Sequence, residues 1–122
     1  MAQLRPLDPN FPITHQLAVA ASPAVLVNVF TVDAADVDAL LKAWEKDALW
    51  MKQQPGFIST QLHRAIGDSY VFMNYAVWES VDHFRQAFTN PAFQRALEAY
   101  PESTFISPHL FQKMTVANLC VA

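Results

Sequence analysis

The chain has 122 residues, a length that suits one domain and leaves little room for two. Hydrophobic residues make up 52%, which excludes a disordered chain, and no apolar run reaches the roughly 18 residues that span a bilayer. A net charge of −3 with no basic block argues against nucleic acid, while a charged fraction of only 16% implies surface buried against a partner subunit.

Residues 1–23 read as an extended N-terminal arm, ahead of a domain over 24–122. "HQLAVAASPA" has the look of a signal-peptide cleavage region, but Pro6, Asp8, Pro9 and Pro12 precede it and no apolar core does. "AVLVNVFTV", Ala24 to Val32, is short and β-branched, and predicts a strand. Asp33 is a plausible N-cap for the helix that follows. There Val37, Leu40, Leu41, Trp44, Ala48 and Met51 recur at helical spacing. Pro55-Gly56 ends that helix. "FISTQLHR" predicts a second strand, Gly67-Asp68 a turn, and Tyr70 to Trp78 a third strand. Ser80 caps the next helix, with Val81, Phe84 and Phe88 on one stripe. Asn90-Pro91 opens a third helix, which Pro101 stops after Tyr100. "HLFQKMTV", His109 to Val116, predicts the fourth strand.

The order β-α-β-β-α-α-β holds two crossovers and one hairpin. It predicts an α+β, ferredoxin-like split βαβ: a four-stranded antiparallel sheet with helices on one face. Strand one offers Val25, Val27 and Val29 to one face and Leu26, Asn28 and Phe30 to the other. Neither face is polar, so the uncovered one would be an aggregation hazard in a monomer. A homodimer with stacked sheets, a dimeric α/β-barrel, removes the hazard.

Metal and cofactor chemistry find little footing. His15, His63, His83 and His109 lack metal-ligand spacing, and Gly56 and Gly67 are too few for a phosphate loop. Neither a metal site nor a phosphate-binding loop is therefore expected. Cys120, the lone cysteine, cannot form an internal disulfide, and a reducing cytoplasm suits it. The unusual feature is "VFMNYAVWES". Strand alternation puts Asn74 and Trp78 on one otherwise apolar face, about 13 Å apart. One reading has each bonded to a nearby backbone carbonyl. The other has them as donors in an aromatic cavity with Trp44, Phe72 and Phe88, orienting a ligand.

"PGFIST…H…VFMNYAVWES…F…NPAFQRAL" resembles the antibiotic biosynthesis monooxygenase family, from about Val25 to Val116. "PGF" and "NYAVWES" are its clearest marks. The nearest likeness is to cofactor-free oxygenases that turn anthrones into quinones with dioxygen. That resemblance implies catalytic roles for Asn74, Trp78, His63 and Arg95. Asn74 would donate to a developing oxyanion, Trp78 would donate through its N–H or stack on the ring, His63 would assist proton transfer, and Arg95 would supply positive charge. Where those enzymes have a tyrosine early in helix two, this chain has Phe84. Phe72, Phe84, Phe88, Trp44 and Asn28 are then expected to hold a small electron-rich aromatic substrate. Haem-degrading relatives resemble the chain at Asn28 and Trp78. Their iron-binding histidine is Leu97 here, and His83 would have to substitute for it. A third reading is a non-catalytic small-molecule binder or stress-related protein of the same fold.

Overall fold

In the computed structural model, which describes residues 2–122, the arm is not simply extended. It contains a two-residue strand, β1 (Gln3–Leu4), and one helical turn, α1 (Ile13–Gln16). The domain follows as β2 (Ala24–Thr31), a 3-10 turn at Ala34–Asp36, and α2 (Val37–Met51). Then come β3 (Phe57–Arg64), β4 (Val71–Trp78), α3 (Val81–Phe88) and α4 (Pro91–Ala96). A 3-10 turn at Leu97–Ala99 leads to β5 (Phe105–Phe111). The sheet is open, with order β1-β5-β2-β4-β3. It is the ferredoxin-like arrangement with a fifth strand added by the arm, since β1 pairs parallel with β5.

Three expectations need correction. The last strand spans Phe105–Phe111, not His109 to Val116. It contains Pro108, which usually argues against an interior strand. The hydrogen bonds along its outer edge show why this proline is tolerated. Gln3 and Arg5 donate their N–H groups to the carbonyls of Thr104 and Ile106, so the even-numbered residues face the β1 edge. Pro108 falls on that edge beyond the end of β1, where no N–H is needed. At Leu110 the side chain of Gln16 takes over as a stand-in strand. Its Oε1 accepts from the Leu110 N–H at 2.8 Å, and its Nε2 donates to the Leu110 carbonyl at 2.9 Å. The second correction is the arm itself: Ile13 and Leu17 are buried against Ala24, Leu26, Trp78 and Leu110, so it completes the core. The third is Asp33, whose side chain makes no capping bond. Ser80 and Asn90 do cap, accepting from the N–H groups of His83 and Ala92.

The Pro55-Gly56 turn and the Trp78–Ser80 segment interlock at the start of α3. Gly56 sits at φ +84°, and a Cβ built there would lie 2.3 Å from Cγ of His83. The Gly56 carbonyl accepts from the Glu79 N–H at 2.8 Å. Ser80 Oγ, while capping α3, also meets His83 Nδ1 at 2.7 Å, which holds the imidazole over the glycine. Gly67 has the same φ but nothing within 4 Å of such a Cβ. Gly67→Ala therefore loses stability only through backbone strain, about 1–2 kcal/mol. Gly56→Ala must also displace the imidazole and loses more, up to roughly 3 kcal/mol. Urea midpoints of the two variants measure the difference; equal losses would mean that His83 gives way freely.

Candidate active site

Pairing register brings the site together. On the helix-covered side of the sheet, Asn28 stands directly opposite Asn74, and Ala24 opposite Trp78. Directly opposed residues have Cβ atoms about 4.5–5.5 Å apart, so the two amides are neighbours. Asn28 also faces Pro108 on its other flank. A bulge in β3 between Phe57 and Ser59 lets Phe57 and Thr60 both reach this side, although their numbers differ in parity. Above the sheet, α2 contributes Trp44, Asp47, Ala48 and Met51 at i, i+3, i+4 and i+7, one helical face. Between the layers lies a cavity of about 50 Å³. That volume admits a few waters, and is well short of the roughly 300 Å³ at which drug-sized ligand sites begin.

Its polar groups are few and have distinct partners. Asn28 Oδ1 accepts from the Ser107 N–H at 3.1 Å. Asn74 Oδ1 accepts from the Thr60 hydroxyl at 2.5 Å. Among the described residues neither Nδ2 has an acceptor, and neither does Nε1 of Trp78. Trp78 is only 1% exposed, held edge-on by Phe57 and Phe84 at centroid distances of 5.4 and 5.6 Å. Phe84 and Phe88 pack at 5.3 Å and extend the aromatic wall.

Sequence reasoning missed Asp47 and Tyr100. Tyr100 donates its hydroxyl to Asp47 Oδ2 at 3.1 Å, while Asp47 Oδ1 is buried without a partner. Both residues line the cavity, and no lysine, arginine, histidine or glutamate does. Burial pushes the Asp47 carboxyl from 3.8 up to about 6, against the lowering effect of the Tyr100 bond. The Tyr100 phenol is driven above its ordinary range by burial, then by the nearby Asp47 charge and their hydrogen bond. The clue in the sequence was position: Asp47 lies three residues after Trp44 and four before Met51, on the apolar stripe.

The other expected residues divide. Asn28, Trp44, Asn74, Trp78, Phe84 and Phe88 meet at the cavity. Phe72 does not; it is buried beside it, among Phe30, Leu40 and Leu62. His63 pairs with Met73 and is exposed on the opposite side of the sheet. Arg95 is exposed on α4. Neither reaches the cavity within this chain. His83 is engaged with Ser80, and the cavity position next to α4 is the non-coordinating Leu97. Among the described residues no cluster of His, Cys, Asp or Glu could hold a metal, and no helix is long and apolar enough to cross a membrane.

The raised Asp47 has a cost in stability. Unfolded, its carboxyl ionises near 3.8; folded, it keeps its proton to about 6. The folded state binds more protons in that window, so stability falls as pH rises through it. Two units correspond to about 3 kcal/mol at most. Asp47→Asn keeps an acceptor for Tyr100 and removes the charge. It should be the more stable protein at pH 8, with the gap closing near pH 4. Urea titrations at the two pH values test this, and a gap independent of pH would refute it.

The antibiotic biosynthesis monooxygenase family model matches residues 23–99. A deoxynogalonate monooxygenase of Streptomyces nogalater is 32% identical over 75 residues, 62% of this chain and 63% of that relative's length. SnoaB, a cofactor-independent oxygenase from Streptomyces nogalater, superposes with a TM-score of 0.71 at 26% identity, covering 80% of this chain and 99% of that one. A structure from Shewanella loihica PV-4 has a TM-score of 0.67 at 34% identity, covering 81% of this chain and all of the other. The family match spans more than half of the chain, and the chain belongs to the antibiotic biosynthesis monooxygenases.

Proposed function

We infer that the protein is a cofactor-independent monooxygenase, oxidising a small electron-rich aromatic of anthrone or quinol type with dioxygen. The observation that carries this reading is the set of unengaged donors on the sheet. Asn28, Asn74 and Trp78 line a mostly aromatic and aliphatic cavity, and their N–H groups have no acceptor among the described residues. Such donors stabilise an oxyanion without reorganising as it forms. The likeness to SnoaB, a cofactor-independent oxygenase, supports it.

The chemistry closes without an added reductant. An anthrone-like methylene flanked by two rings loses a proton to give an enolate, whose charge rests on the carbonyl oxygen. The enolate gives one electron to dioxygen, and the radical pair joins as a peroxide at the former methylene carbon. Protonation and loss of water, which takes the second hydrogen, leave a second carbonyl. One oxygen atom ends in the quinone and the other in water. The protein's part is to hold the enolate against the amides and keep bulk water away. Phe84 stands where related enzymes have a tyrosine, so any phenol the site uses must come from Tyr100.

A binding role without turnover is the second reading. The small cavity supports it, because about 50 Å³ is well below the volume of a three-ring substrate. Removing one preorganised donor lowers oxyanion-dependent rates by about 10²–10³. Asn74→Ala should therefore slow oxygen uptake with a model anthrone by that factor, with no cofactor added. Trp78→Phe keeps most of the ring and deletes only the N–H, which separates donation from stacking. Wild-type uptake no faster than the spontaneous reaction would favour the binder.

The same reading makes the protein a homodimer. Val27, Val29, Met73 and Val77 are only half-buried on the uncovered sheet face, beside exposed Tyr75. Sedimentation should give a dimer at micromolar concentration; a monomer there would exclude sheet stacking.

A further inference from the structure

We propose that Asp47 is the general base of this cavity, taking the acidic proton of a carbon acid or phenol held between the sheet amides and α2. This rests on the oxygenase reading for its substrate class and adds the residue which that reading lacks. His63 was the expected proton acceptor, and it lies on the far side of the sheet. Something else must receive the proton before an enolate can form.

Asp47 lines the same cavity as the sheet amides. Its carboxylate projects from the face of α2 that covers the cavity. One oxygen is fixed by the Tyr100 hydroxyl at 3.1 Å, which sets the orientation of the group. The other, Oδ1, is buried and meets no donor. A buried carboxylate oxygen left without a donor is costly unless something fills the place, and an acidic O–H or C–H of a ligand can do so. The proton transfer is balanced within the site. The substrate C–H bond breaks, an Oδ1–H bond forms, and the electron pair stays on the substrate as an enolate. Its oxygen can then accept from Nδ2 of Asn28 and Asn74.

The surroundings set the working range. Among the described residues that line the cavity with Asp47, Tyr100 alone is ionisable, and it remains neutral and donating. Along α2 itself, Glu45 and Lys46 are exposed, and so are Arg95 and Glu98 on the α4 side. The sheet beneath offers only amides, the Thr60 hydroxyl and apolar side chains. Burial places the carboxyl near 6, so it is ionised at neutral pH yet basic enough to take a proton. Tyr100→Phe removes a bond that lowers this value, and should move the activity midpoint to higher pH.

Hydrogen exchange separates this proposal from the oxygenase reading. Under anaerobic conditions in deuterated buffer, the methylene hydrogens of a model anthrone exchange when a base acts on them, whether or not oxygen can react. Nuclear magnetic resonance follows the loss of signal. The full-length wild-type protein should accelerate exchange, with a rate rising through about pH 6. Asp47→Asn should lose at least about 100-fold of that acceleration, and Asp47→Glu should retain part of it. Exchange that depends on Asp47, without oxygen uptake in air, would uphold the base and sink the oxygenase. Asp47→Asn exchanging and oxidising like wild type would overturn the base, and so would a wild type that does neither.

Discussion

The pairing of β2 with β4 is the constraint on which the site depends. Side chains alternate along a strand, so a slip of one residue would send every member of a face to the other side. In the observed register Asn28 meets Asn74, and Ala24 leaves room opposite Trp78. Two apolar clusters hold that register from its ends. Phe30 and Phe72 pack with Leu40 and Tyr100 at one end, and Leu26, Ala76 and Trp78 with Val81 and Phe84 at the other. The amides fall between the clusters, where the helices do not close fully on the sheet. Placing polar groups there follows from packing at both ends rather than from any attraction between the amides.

That placement is tolerable because each amide oxygen has its own donor. Ser107 supplies a backbone N–H to Asn28, and Thr60 a hydroxyl to Asn74. With the oxygens held, the N–H₂ groups have no acceptor among the described residues and are left for a substrate anion to use. Asp47 is the opposite case. Its ionised form is disfavoured by burial, and the fold retains it at a cost in stability above its raised pKa. A core packed only for stability would put a neutral or apolar side chain there.

Much of the scaffold was legible because its signals are local. β-branched runs, Ser80 and Asn90 as caps, and Pro55-Gly56 as a stop each act within a few residues. The shared placement of two cavity residues was legible where one strand sufficed, as at Asn74 and Trp78. Inference failed where two elements had to be related. His63 shares odd parity with Phe57, which lines the cavity, so a regular strand would bring His63 to the same side. The bulge after Phe57 reverses that relation and turns His63 outward. Asp47 looked like any acid on an amphipathic helix until Tyr100, 53 residues later, met it. β5 was placed too late because Pro108 is permissible only on an edge that β1 and Gln16 finish covering, and neither is local to it.

The most recognisable residues of the chain are therefore not its chemistry. Gly56 is required because the His83 ring leaves no space for a Cβ, and Ser80 holds that ring while it caps α3. This interlock joins the end of α2 and the start of β3 to the start of α3, and so fixes how the helices lie over the sheet. It can be kept whatever the cavity does. The residues that face the gap are a different set: two opposed amides, an indole, and a carboxylate steadied by a phenol. A relative could keep the whole interlock and lose the carboxylate. On this argument it would retain the fold and a binding cavity, but not the means to generate an enolate.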